Sequence, residues 1–338
     1  MDELVNAMRT LLQKSSRSMQ GDTVVMGKSY TSIPITKNNF HPIIAFSNKE
    51  TDNHSFLFVD GGNTTLFLSA GLAIGFIRTA GIVYQDNKRI HRDTLEFFII
   101  VHEQESIMNV HTFPKTSFDG LVFNPDDESL RNGLERSECS RIITVIRRFA
   151  ELEYASLLGK KYAPTGIILD GTLESKYPHE SDYIAALLAQ KNVCALSKTC
   201  SLTTKNGSAI TQGLFSLEPS APFWYHPIAV NNNSHHPAEI YFIKLHDKTD
   251  YVFRFEVGRG FSGDVSGIIA LLARNSIDPV FLGYPYGFID VDAAARISED
   301  EKRLLQTKLS VKLGKGWDAF STQLTSMNAH EILDKIKF

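Results

Sequence analysis

Residues 55–85, SFLFVDGGNTTLFLSAGLAIGFIRTAGIVYQ, decide how this chain folds. Branched and aromatic side chains dominate the stretch, and these suit a pleated, half-buried surface. SFLFVD reads as a strand closing at Asp60, and TTLFLSAGLAIGFIRTAGIVYQ continues in strand-forming residues. The Asp60-Gly61-Gly62 between them predicts a hairpin turn. A third apolar run, TLEFFIIVHE (94–103), follows a basic loop, NKRIHRD. The three runs are expected to form an antiparallel meander.

Downstream, a long helix is expected over 134–159. It leads through Lys160–Thr165 into a second buried strand, GIILD, which closes at Asp170 before Gly171. A short helix over 179–192 and the strand VCALSK come next. That alternation of strand and helix predicts a parallel addition to the meander. PFWYHPIAV, AEIYFIKLH and DYVFRFEV add further strands. GDVSGIIALLARNS reads as a helix capped by Asp264, and Ser298 with Glu301 forms a capping box for the helix after it. Residues 2–14 read as an amphipathic helix, and 20–54 as irregular structure. The fold class is α/β, a mixed sheet with an antiparallel meander and parallel strands, flanked by helices.

Composition removes several classes. The 338 residues carry a net charge of -3, so no global basic excess marks a nucleic-acid binder, and a nucleic-acid role needs a local basic lining or a partner. The three cysteines, Cys139, Cys194 and Cys200, contain no CxxC, which argues against a disulfide scaffold or zinc finger and fits a reducing cytoplasm. No run of 18 apolar residues predicts a membrane span, and the first residues lack the pattern of a signal peptide.

Asp60 and Asp170 each stand where a buried strand meets glycine. A strand holds such a carboxylate rigidly, and the glycine lets a ligand approach closely. Two acids from neighbouring strands, meeting at one sheet edge, suit a hard divalent cation. Each motif alone reads as a turn. Wound at about 100° per residue, IITVIRRFAELEYASLL (142–158) puts Ile142, Ile146, Phe149, Glu153 and Leu157 on one stripe. Arg147, Arg148 and Glu151 fall on the opposite, solvated face. A carboxylate at 153 on an apolar face costs several kcal/mol unless it is paired or metal-bound. An arginine partner, or a place at the fraying end of the stripe, is the plain reading of Glu153; its helix runs directly into the Asp170 strand, which favours convergence. Three converging carboxylates repel one another, and Mg²⁺ or Mn²⁺ removes that conflict. Tyr284 reads alternatively as core, Asp292 as a helix N-cap, and Lys198 as a solvated lysine or a phosphate contact. Adjacent His235 and His236 rarely share a metal and are set aside.

VDGG (59–62), Glu153, LDGTL (169–173), ALSKT (195–199) and DPVFLGYPYGFIDVDAAARIS (278–298) together resemble the NurA family of nucleases. The last block is the most specific, and the matches span most of the chain. The resemblance implies an RNase H-like core over 55–200, led by residues 1–54 and completed by 201–338, all one nuclease domain. It implies that Asp60, Glu153 and Asp170 bind one or two Mn²⁺ or Mg²⁺ ions, and that Tyr284 and Asp292 complete the catalytic site. Lys198 would contact DNA. The chain departs from the family pattern at Asp292, where histidine is expected, and at Gly287, where proline is expected; the first departure touches any proton-transfer role. The Asp60–Glu153 spacing is long, which marks 104–132 as a candidate insertion. The resemblance further implies a homodimeric single-strand endonuclease and 5′–3′ exonuclease. It would act in DNA end resection during double-strand break repair and homologous recombination, docked on a hexameric HerA-type ATPase.

Two other readings stay open. DGGNTT and DGTLES are similar to the phosphate-gripping turns of the actin and sugar-kinase class, although GRGFSGDVSG is a poor adenosine pocket. An inactive scaffold for the ATPase is the other, against which the retained acids argue.

Overall fold

The computed structural model describes residues 1–15, 20–43, 54–131, 133–217, 219, 221–231 and 233–325. Part of the expected irregular lead-in, 44–53, lies outside them. Helix α1 (Asp2–Ser15) and the short strands β1 (Tyr30–Ser32) and β2 (His41–Pro42) come first. A meander of β3 (Ser55–Ser69), β4 (Leu72–Gln85), β5 (Lys88–Gln104), β6 (Ile107–Phe113) and β7 (Val122–Phe123) follows. Helix α2 (Cys139–Tyr162), β8 (Gly166–Asp170), α3 (Glu180–Leu188) and β9 (Val193–Ser197) form the alternating stretch. The chain continues through α4 (Ile210–Ser216), β10 (Trp224–Asn231), β11 (Ala238–Lys244) and β12 (Phe253–Gly258). It ends in α5 (Val265–Asn275), α6 (Tyr286–Ala295), α7 (Glu299–Leu313) and α8 (Gly316–Thr325).

All described strands join one mixed sheet, ordered β1-β10-β11-β12-β9-β8-β3-β4-β5-β6-β7, with β2 beside β10. The centre, β3-β8-β9, is parallel, and both flanks are antiparallel. This is the RNase H-like mixed sheet expected, but two of its turns lie elsewhere. Asp60-Gly61-Gly62 makes no hairpin: β3 runs straight through it, paired with Ala80, Thr79 and Arg78 of β4. The chain reverses instead at Ala70-Gly71, where Gly71 has φ +69°. The supposed basic loop 87–93 is largely strand, because Asp86 and Asn87 (φ 50° and 58°) alone make the turn. Positive φ at both central residues gives a two-residue turn whose twist matches the flanking strands. Residues 104–132 hold β6 and β7, the outer edge of the sheet.

Alternation along β3 builds two layers. Phe56 and Phe58 enter a core with Ile268, Ile269 and Phe288 of α5 and α6. Leu57 and Val59 enter the opposite core with Leu152 and Ala155 of α2 and Ile184 of α3. Phe58 is fully buried, its ring 5.0 Å from that of Phe288. Its truncation to alanine should cost about 3–5 kcal/mol. Asp264 caps α5 through the amides of Ser266 and Gly267, as expected; Ser298 caps α7 through the amide of Glu301, but the Glu301 carboxylate pairs with Arg78 instead of closing the capping box.

Candidate active site

The register across the parallel pair sets the site. Val59 lies opposite Leu169, so the next residues on each strand, Asp60 and Asp170, stand side by side. Gly61 and Gly62 follow on β3, one facing each layer. A Cβ at Gly61 would lie 2.8 Å from Glu151 Oε1, and one at Gly62 would overlap the carbonyl oxygen of Ala295. The glycines therefore admit α2 on one face and the end of α6 on the other. That close approach is their use in an uninterrupted strand, where a hairpin was expected.

Glu151 of α2 reaches the two aspartates. It is buried and paired with both Arg147 and Arg148, the latter at 3.7 Å. Glu153 is not brought to them: it is half-buried and accepts a hydrogen bond from Ser117 on the far side of the helix. The single apolar stripe misleads because α2 is buried over most of its circumference, including Val145, Leu152, Ala155 and Leu158. Leu157, on the expected stripe, is 52 % exposed. The face bearing Arg147, Arg148 and Glu151 covers the site instead of facing bulk solvent. The signal that finds Glu151 is its i,i+4 spacing from Arg147 on a face that must cross Gly61.

The surroundings divide into a basic side and an aromatic side. With Asp60, Asp170 and the loop after Gly171, Arg147, Arg148 and Glu151 line a cavity of about 270 Å³. Arg148 fixes that loop by donating to the Thr172 carbonyl at 2.7 Å and to Glu180 at 3.0 Å. On the other side Lys198 Nζ lies 2.6 Å from Asp170 Oδ2 and 5.6 Å from the centre of the Tyr284 ring. Tyr284 packs among Phe253, Phe281 and Phe288, and its buried hydroxyl has no hydrogen-bond partner among the described residues. Asp292 is no N-cap. It sits within α6, half-buried, and is paired with Arg296 one turn on. Gly287 packs so tightly that a Cβ would overlap the Phe58 ring, and its amide donates to Asn275 Oδ1 at 3.0 Å. A proline there would clash and lose that bond.

The charges are unbalanced at Asp60. Burial first, then Glu151 and Asp170, push its pKa up to about 7 against the amide of Gly61 at 2.8 Å. Burial also raises Glu151, offset by Arg147 and Arg148. Burial, then the fields of Asp170, Asp60 and Asp292, raises Tyr284. Burial disfavours the Lys198 ammonium, but Asp170, then Asp60 and Asp292, keep its pKa above the ordinary value. Among the described residues no three His, Cys, Asp or Glu side chains stand placed to hold an ion. Glu151, Asp170 and Asp292 are each turned toward a basic side chain. In chemical type the donors fit a hard divalent cation: three carboxylates line one cavity, and a cation would relieve the conflict at Asp60.

The fold is RNase H-like, and it is the fold of NurA. The NurA nuclease from Sulfolobus solfataricus matches with a TM-score of 0.53 and 14 % identity, over 93 % of this chain and 97 % of that one. A second NurA crystal structure matches with a TM-score of 0.54 and 10 % identity, over 93 % and 98 %. No protein-family model matches the sequence, and no curated protein matches it.

Proposed function

We propose that this chain is a divalent-metal-dependent deoxyribonuclease of the NurA type. The observation that carries the reading is the placement of Asp60, Glu151 and Asp170 around one cavity in a NurA fold, with Asp60 raised to about 7. Asp60, Glu151 and Asp170 would hold Mn²⁺ or Mg²⁺, one ion or two, with Asp292 at the rim. When bound, such an ion supplies a water of lowered pKa and shields phosphate charge. Asp60 is rigid because β4 and β8 flank its strand. Lys198, exposed beside Asp170, is placed to meet a phosphate of DNA. Tyr284 offers a hydroxyl donor from an apolar wall. Asp292, paired with Arg296, stands where the family pattern expects histidine.

The finer role rests on the likeness to NurA: single-strand endonuclease and 5′–3′ exonuclease activity on DNA ends, in double-strand break resection. So do the homodimer, the HerA-type hexameric ATPase and the cytoplasmic setting. No helix among the described residues is long and apolar enough to cross a membrane. The test is cleavage of end-labelled single-stranded DNA with Mn²⁺ against an EDTA control, with and without the ATPase. Metal-dependent cleavage supports the reading. Its absence in both arms overturns it in favour of a scaffold.

A further inference from the structure

Three cavities lie end to end along the first half of α2. The one holding the acids shares Thr144 with a second, of about 490 Å³, lined by Thr65, Arg141 and Ser140. The second shares Arg136 and Ser137 with a third, of about 370 Å³, which reaches Gly71 at the tip of the β3–β4 hairpin. Together they make a trough between α2 and the distal half of β3. Its floor follows β3 for about 30 Å, from Asp60 to Ser69, at the rise of an extended strand. Hydroxyls of Thr65, Thr144 and Ser140 line it.

The described residues over the trough, 131 and 133–148, carry five arginines against two glutamates in a chain of net charge -3. Four of the five are ion-paired, Arg131 and Arg136 with Asp126, Arg136 also with Glu103, and Arg147 and Arg148 with Glu151, so among the described residues Arg141 is the arginine of this segment with no carboxylate partner. Where the first cavity meets the second, the Arg141 guanidinium lies 5.4 Å from the centre of the Tyr177 ring and donates to its hydroxyl at 3.1 Å. Arg141 is exposed and Tyr177 half-buried, so the pair offers solvent a planar cation and an aromatic surface. Such pairs stack bases of any sequence. Cavities of a few hundred Å³ admit single nucleotides, and the glutamates between the arginines disfavour the dense phosphate array of a duplex.

The geometry points to this trough as a binding groove for single-stranded nucleic acid, with Arg141 and Tyr177 as a stacking step that leads the strand toward Asp60. The proposal rests on the nuclease reading for its direction, but its test does not. Fluorescence anisotropy in EDTA and low salt reads binding of oligonucleotides of about twenty nucleotides, as DNA and as RNA, without cleavage. Arg141→Ala and Tyr177→Leu should each weaken binding about tenfold, the effect of one lost stack. Arg141→Lys keeps the charge and should lose several-fold through the missing planar contact. Photocrosslinking of an oligonucleotide carrying 5-iodouracil should label Tyr177 in the unaltered protein, which needs no variant to fold. Equal affinity of the variants, no binding by the unaltered chain, or labels only outside the trough would overturn the groove. A chain that binds in this way but cleaves nothing with Mn²⁺ would keep the groove and lose the nuclease.

Discussion

Asp60 and Glu256 are two carboxylates of the same sheet, and their surroundings treat them in opposite ways. Glu256, on β12, is wholly buried. Its Oε2 is hydrogen-bonded to the Leu173 amide at 2.7 Å and to His236 Nε2 at 2.8 Å, and its Oε1 is ion-paired with Arg254 Nη2 at 2.6 Å. Burial alone would raise its pKa; His236, Arg254 and Leu173 together hold it below the ordinary value. Among the described residues Asp60 receives only the amide of its neighbour Gly61, and it faces Glu151 and Asp170. An acid that serves architecture comes with its donors, whereas one left short of them marks chemistry. Glu256 also serves the site at a distance, because the Leu173 amide it fixes belongs to the loop after Asp170.

The contrast breaks most visibly at Asp60. Asp60→Asn should reduce Mn²⁺-dependent cleavage about a thousandfold, the loss of several kcal/mol of charge stabilisation. The same variant should leave the urea midpoint of the metal-free protein unchanged or higher, since it relieves repulsion. Glu256→Gln should do the reverse and lower stability by about 3 kcal/mol, because Arg254 and His236 lose a buried partner. Urea denaturation of both variants, side by side, checks the pair.

Glu151 and Glu153 sharpen the comparison within one helix. Glu151→Gln should reduce cleavage about a hundredfold, and Glu153→Gln should stay within about twofold. Initial rates on one labelled oligonucleotide separate them.

The smallest expected effect is on pH. The pKa of Asp60 is raised from 3.8 to about 7. Its contribution to metal-free stability is therefore full below 3.8 and is lost as pH rises to about 7. Glu256 has the opposite sign: its contribution is present above 4.5 and is lost as pH falls below that value. Asp60→Asn should remove the slope between these limits, and Glu256→Gln the loss on the acid side. Denaturant midpoints measured across that range read both.

The aspartates were legible in the sequence because strand ends are local, and a parallel register needs only two similar strands to align them. The same local reasoning misplaced the turn: Asp60-Gly61-Gly62 has hairpin composition, but its glycines answer to Glu151 on one face and Ala295 on the other, both distant in sequence. It also chose Glu153. Helical periodicity finds one apolar stripe, whereas α2 is covered by the sheet, by α3 and by the β6–β7 edge, so a buried carboxylate can lie off that stripe. Tyr284, Lys198 and Asp292 came to the site through a resemblance between motifs, and no periodicity would have gathered them. The unpaired Tyr284 hydroxyl had no sequence signal.

The most direct measurement is calorimetric titration of Mn²⁺ into the unaltered chain, Asp60→Asn, Glu151→Gln and Glu153→Gln above pH 7. The first and last should bind alike, and Asp60→Asn and Glu151→Gln should lose at least about tenfold in affinity. Binding weakened by Glu153→Gln and kept by Glu151→Gln would contradict a metal site built on Glu151.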